Sequence, residues 1–175
     1  MPSNHQRLLA DVATRTRSTV EALYGRWKTG DLSLGEFQRL AAAAVATGNR
    51  EASVVADVGV AALLTQMRDQ PVGPVGVDLP DWVLDEVRLT ESFGTALEDK
   101  DTAEGRVGLI GRSEPVAVGA LAMAAVLLFH KSRWVRVTDA DPCPLCSRWA
   151  DGVARPAEMP MNRHTGCTCL QQPVS

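Results

Sequence analysis

The chain has 175 residues, of which 45% are hydrophobic, 22% charged and 5% aromatic, with a net charge of -3. That length holds one ordinary domain, or a helical body with a small appended module, and the composition is that of a globular protein and not a disordered one. The acidic balance excludes an overall basic field for nucleic acid. The dominance of Ala, Val and Leu over aromatic residues favours packed helices over a strand sandwich.

The start, Met1-Pro2-Ser3-Asn4, carries neither the basic nor the apolar region of a signal peptide, so export is not expected. A first helix is predicted from His5 to Lys28, because Leu8, Leu9, Val12, Val20, Leu23, Tyr24 and Trp27 recur at spacings of three and four. Thr29-Gly30-Asp31 ends it. Ser33 followed by Glu36 has the form of a capping box, so a second helix should start there. Gly48-Asn49 is expected to break it, with a further helix from Arg50 to Met67. The stretch Gln70-Pro71-Val72-Gly73-Pro74-Val75-Gly76 reads as a loop and an internal hinge.

Asp81 precedes Trp82, Val83, Leu84, Val87 and Leu89, which predicts a helix to about Thr102 with an acidic, fraying end. A last long helix is expected from Ser113 to Ser132, with Pro115 in its first turn. Its apolar run, Val116 to Phe129, is shorter than the roughly 20 residues a membrane span needs, and so reads as a buried core helix. Trp134 to Thr138 changes to a strand-like pattern. From Asp139 to Ser175, turns, short strands and metal ligands are expected, not helix. The basic groups Arg15, Arg17, Arg26 and Lys28, and Lys131, Arg133 and Arg136, read as solvated helix faces and helix-end charges.

Every cysteine falls in one pattern, C-x2-C-x17-H-x2-C-x-C, formed by Cys143, Cys146, His164, Cys167 and Cys169. In a reducing compartment, two such clusters of soft donors point to a metal before they point to disulfides. The expected ligands are Cys143, Cys146, His164 and one of Cys167 or Cys169, with Cys169 preferred. At least four protein donors close the coordination sphere and leave no place for a catalytic water, so the ion is expected to be structural zinc. Cys143-Pro144-Leu145-Cys146 also has the form of a redox C-x-x-C, but no βαβ pattern surrounds it. A zinc deaminase would need H-x-E, and none of His5, His130 or His164 begins one. Trp82, Trp134 and Trp149 read as packing anchors, and His5 and His130 as surface or helix-end groups.

The segment from about Gly111 onward carries Arg112-Ser113-Glu114, Arg133-Trp134, Asp139, Asp141, Cys143, Cys146, Asp151-Gly152 and His164-Thr165-Gly166-Cys167-Thr168-Cys169 in that order. In order and spacing it resembles the C-terminal region of the phage Mu protein F-like minor head proteins, also called phage head morphogenesis proteins. Thr165 and Thr168 depart from the proline and arginine usual there. The resemblance covers about a third of the chain. It implies a virion component without catalytic activity, present in multiple copies, that acts in head assembly or genome delivery near the portal vertex. It further implies the portal protein or the inner capsid surface as partner, contact with packaged DNA, no membrane, and residence in the host cytoplasm during assembly.

The fold expected is mainly α, a helical body with a small C-terminal zinc-stapled α+β module. Its segments are an N-terminal helical segment (1–70), central helices (71–133) and a Cys/His module (134–175). The alternative function is a zinc-knuckle nucleic-acid-binding protein, with Arg148, Arg155 and Arg163 supplying its basic surface.

Overall fold

The computed structural model describes residues 4–138, 142–164 and 166–174. Helix α1 (Asn4–Lys28) follows the predicted stripe and buries Leu9, Val12, Val20 and Tyr24. His5 is buried rather than at the surface. It packs where Gly59 of the second helix offers no side chain; a Cβ there would come within 2.5 Å of the His5 Cβ.

Helix α2 (Leu34–Arg68) starts at the predicted capping box. The Ser33 hydroxyl accepts from the Glu36 N–H at 3.3 Å, and the Glu36 carboxylate accepts from the Ser33 N–H at 2.8 Å. The helix does not break at Gly48-Asn49 but runs unbroken for 35 residues. Packing is the reason. A Cβ at position 48 would lie 2.3 Å from Thr16 Oγ1 and 3.2 Å from Pro115 Cγ, so Gly48 is the point where three helices meet. Asn49 is fully buried and donates from Nδ2 to the Val83 carbonyl at 2.9 Å. Such contacts outweigh the roughly 1 kcal/mol that a glycine costs a helix interior.

The Pro/Gly stretch read as a hinge is tied down onto α2. Asp57, buried on that helix, accepts the N–H groups of Val75 and Gly76 at 2.9 and 2.8 Å, and Thr65 Oγ1 accepts that of Val72 at 2.9 Å. Beyond it, two short elements replace the single helix expected from Asp81. A 3-10 turn (Asp81–Val83) leads to α3 (Glu86–Ala96), capped by the Asp85 carboxylate on the Val87 and Arg88 N–H groups. Helix α3 stops before the acidic run, whose charges oppose the negative end of a helix. Trp82 is 52% exposed with Arg88 stacked on it, so it is no packing anchor.

Helix α4 (Ala103–Phe129) begins well before Ser113 and carries Pro115 inside it, not in its first turn. Ala103 and Val107 are buried against α2 and α3, which gives the helix a reason to start there despite the proline. By length and composition α4 could cross a membrane; half of its most apolar window is buried within the fold.

Helices α1, α2 and α4 pack on one another and enclose two apolar clusters. One holds Val20, Phe37, Val45, Leu89, Phe93 and Val107. The other holds Leu9, Val12, Val60, Leu64, Met123 and Leu127, and adds Trp134 and Leu170 from the C-terminal segment. The Thr16–Gly48–Pro115 contact lies between them in sequence position on all three helices.

Strand β1 (Arg133–Val137) pairs antiparallel with β2 (Leu170–Val174), Arg133 opposite Val174 and Val137 opposite Leu170. Pro173 stands opposite Trp134. The Trp134 N–H and C=O both bond to Arg155 on the other side, at 2.9 and 2.8 Å, so this is a non-hydrogen-bonded pair and the missing proline N–H costs no ladder bond. Trp134 is the anchor expected, fully buried, its Nε1 donating to the Pro156 and Met159 carbonyls. One short helix, α5 (Pro144–Trp149), appears where none was expected. Cys143 caps it by accepting the Cys146 N–H at 3.4 Å, and Pro144 occupies its first turn, where a missing N–H is harmless.

Candidate metal centre

Two pieces of chain bring the five donors together. Cys143 and Cys146 sit at the start of α5, and His164, Cys167 and Cys169 lie on the segment that enters β2. The Cys167 N–H donates to the His164 carbonyl at 3.0 Å, closing a turn in which Gly166 has φ of 76°. That left-handed conformation favours glycine. Strand β2 then fixes Cys169 through Leu170, which is embedded in the helical core.

The donors form two overlapping triads, Cys143–Cys146–His164 and Cys146–Cys167–Cys169, each with its ligand atoms within 4.8 Å of one another. Cys146 belongs to both. Its sulfur lies 3.0 Å from His164 Nε2 and 3.6 Å from the Cys167 sulfur, while Cys143 lies 3.2 Å from the same Nε2. Sulfurs tetrahedrally disposed around an ion at about 2.3 Å stand about 3.8 Å apart, so the spacing suits a shared metal. The structure thus brings together all five residues read from the sequence, in an arrangement that could hold a metal ion. Asp139 and Asp141 lie outside the described residues.

Electrostatics points the same way. Cys146, Cys167 and Cys169 are buried, and Cys143 is exposed. The Cys169 thiol donates to Cys167, which brings Cys167 down to about 4 and raises Cys169. Burial lifts Cys146 to about 11, and the Cys146 N–H favours the Cys143 thiolate. On protein groups alone the cluster therefore holds some sulfurs as thiols, since crowded thiolates repel. A divalent cation among them would allow all to ionise.

Two arginines frame this cluster, Arg163, read from the sequence as part of a basic surface, and Arg136, read as a solvated charge. Arg163 donates to the Val116 carbonyl of α4 at 3.1 Å and to the Cys167 carbonyl at 2.7 Å. Burial pulls its pKa down, and the neighbouring thiols, Cys167 first, oppose that. Arg136 is not a solvated charge. It is 7% exposed, donates to the Asn162 carbonyl, and lies 5.0 Å over the Trp149 ring, which in turn faces His164 at 6.3 Å. A period-2 reading of β1 would have found it, because Arg136 shares the inward face of Trp134.

Other residues quoted for the resemblance join the same module. Asp151 takes a bidentate ion pair from Arg155 at 3.0 and 2.8 Å, and Arg155 is bonded through its backbone to Trp134. Gly152, with φ of 71°, completes the turn. Arg112-Ser113-Glu114 lies inside α4 and does not begin it; Glu114 pairs with Arg88 at 2.9 Å, and Arg112 lines the cleft of the cysteine cluster. No protein-family model, curated protein or solved structure matches the chain.

Proposed function

We propose that the chain is a structural minor head protein of the phage Mu protein F-like kind, whose C-terminal module is stapled by zinc. The observation that carries this reading is the convergence of dispersed sequence elements on one module. Cys143, Cys146, His164, Cys167 and Cys169 come together in two triads that share Cys146, and Trp134 and Asp151-Gly152 are joined through Arg155 within the same unit. Thiolate and imidazole donors favour zinc among the common divalent ions, and five of them leave no open position for a substrate or an activated water.

The role that fits is mechanical. The segment 142–169 contains a single helix of six residues, and among its described residues Cys146, Ala157, Cys167 and Cys169 alone are buried hydrophobic groups. Such a segment gains its order from metal binding. Arg163 on Val116 and Leu170 in the core then weld it to the helices, giving a rigid surface that would dock on the portal or inner capsid. A nucleic-acid-binding knuckle is less well supported, because Arg155 is committed to Asp151, and Arg163 to two carbonyls.

The test is co-expression with a portal protein, sought among the neighbouring coding sequences, followed by purification on the portal. Coelution as a defined complex is expected. A coding sequence with no portal or capsid gene near it, or no association with the portal, would sink the proposal.

A further inference from the structure

We infer that the cavity between α1, α4 and the segment entering β2 is the socket by which the chain docks, and that the portal segment it takes presents one large apolar side chain flanked by carboxylates. This rests on the docking role proposed above and names the surface that performs it.

The cavity has a volume of about 260 Å³. Its apolar wall is Leu9 and Ala13 from α1, Val116 from α4 and Leu170 at the start of β2, so the helical body and the Cys/His module both contribute. Size decides between classes of occupant. Small-molecule sites run to about 300–1,000 Å³ and enclose most of their ligand. A smaller apolar recess suits a single anchoring side chain of a protein partner, the kind of contact that carries most of the energy of an interface. The wall atoms lack dispersion partners on their open side, and an entering side chain supplies them.

Charge defines what flanks the anchor. Arg7 of α1 and Arg112 of α4 line the cavity, both exposed, and no carboxylate lines it. Arg7 reaches only the neutral Asn4 amide oxygen at 3.5 Å, and Arg112 has no hydrogen bond or ion pair among the described residues. Arg15 and Arg17, farther along α1, are by contrast paired with Glu51 and Glu21. On a chain of net charge -3, two unanswered guanidiniums beside an apolar recess select an acidic partner segment and set its orientation.

Portal affinity of the full chain tests this. Arg7→Glu is expected to weaken binding about 10-fold, and Ala10→Phe, which plugs the mouth of the cavity, about 30-fold or more. Arg26→Glu makes the same charge change roughly 28 Å farther along α1 and should leave affinity unchanged. Arg7, Ala10 and Arg26 are all exposed, so the helix tolerates each substitution. Benzoylphenylalanine in place of Thr14, which also lines the cavity, should photo-crosslink a portal peptide in which Leu, Phe or Trp neighbours Asp or Glu. Equal affinity of all four proteins, or a crosslink to a segment without carboxylates, would overturn the socket while leaving portal binding in place. Decanoate bound in the cavity at micromolar concentration would overturn it too, by assigning the site to a small amphiphile. No portal binding by the unaltered chain would overturn the docking role and the socket together.

Discussion

Replacing Gly48 with alanine adds one methyl group at the point where α1, α2 and α4 meet. The new Cβ would stand 2.3 Å from Thr16 Oγ1, 3.1 Å from its Cγ2 and 3.2 Å from Pro115 Cγ. Turning the Thr16 side chain exchanges its methyl for its hydroxyl at the same spot, and breaks the bond from Oγ1 to the Val12 carbonyl at 2.9 Å. Pro115 has no rotamer to offer. The helices must therefore part, a form of overpacking that costs about 1–3 kcal/mol. Alanine returns about 0.5–1 kcal/mol through its better helix propensity, leaving a net loss of up to about 2.5 kcal/mol, centred near 1 kcal/mol. At about 2–4 °C per kcal/mol for a chain of this size, Tm should fall by several degrees. Gly105→Ala in α4 is the control, since nothing lies within 4 Å of its Cβ, and it should stabilise by about 0.5–1 kcal/mol. Urea unfolding followed by circular dichroism reads both. Adding Thr16→Ala to Gly48→Ala should recover most of the loss, with a coupling of about 1 kcal/mol or more. If Gly48→Ala stabilised the protein as Gly105→Ala does, the claim of a tight three-helix crossing would be wrong.

Removing the metal with a chelator should abolish the near-ultraviolet dichroism of Trp134 and Trp149 and leave most of the far-ultraviolet helical signal; equal loss of both would show that the helices also depend on the site. Asp57→Ala should release the segment at Val75 and Gly76, cost about 1.5–3 kcal/mol, and speed amide exchange at those two residues, whereas unchanged exchange would mean the carboxylate is not the latch. Asp151 has a depressed pKa, about 2, because of Arg155, so its contribution is fully present above the unfolded value of about 3.9 and is lost as pH falls toward 2. Stability of Asp151→Asn should accordingly vary less than that of the parent between those values, and an NMR titration placing the Asp151 carboxyl near 4 would refute the pairing.

The parts of this fold that local chemistry governs could be read directly. Ser33 and Glu36 announced the start of α2, and the two local halves of the cluster, Cys143/Cys146 and His164/Cys167/Cys169, announced themselves by donor type and spacing. Errors arose where distant residues decide. Gly48 looks like a breaker until Thr16 and Pro115 are seen beside it, and Pro115 looks like a first-turn residue until Ala103 and Val107 are found buried upstream. Arg136 and Arg163 look like surface charges, since nothing nearby in the sequence says that Trp149, Asn162 and Val116 will surround them. The partner of β1 was equally hidden, because Leu170–Val174 carries two glutamines and a proline and has little strand character of its own.

The division of the helical core at Thr16, Gly48 and Pro115 has a consequence for how the molecule opens. One cluster includes Trp134 and Leu170 and so shares its burial with the segment that carries the Cys/His cluster, while the other, around Phe37 and Phe93, does not. The same three helices thus pass through two apolar clusters whose boundary includes the Thr16–Gly48–Pro115 contact and the buried Asn49–Val83 bond, and clusters of this kind can open as separate units. Metal ligation would act on the first cluster directly and on the second across that boundary. Amide exchange along α2 should accordingly fall into two classes within one continuous helix. Residues after Gly48 would open at a rate set by metal occupancy, and residues before it at a rate indifferent to metal.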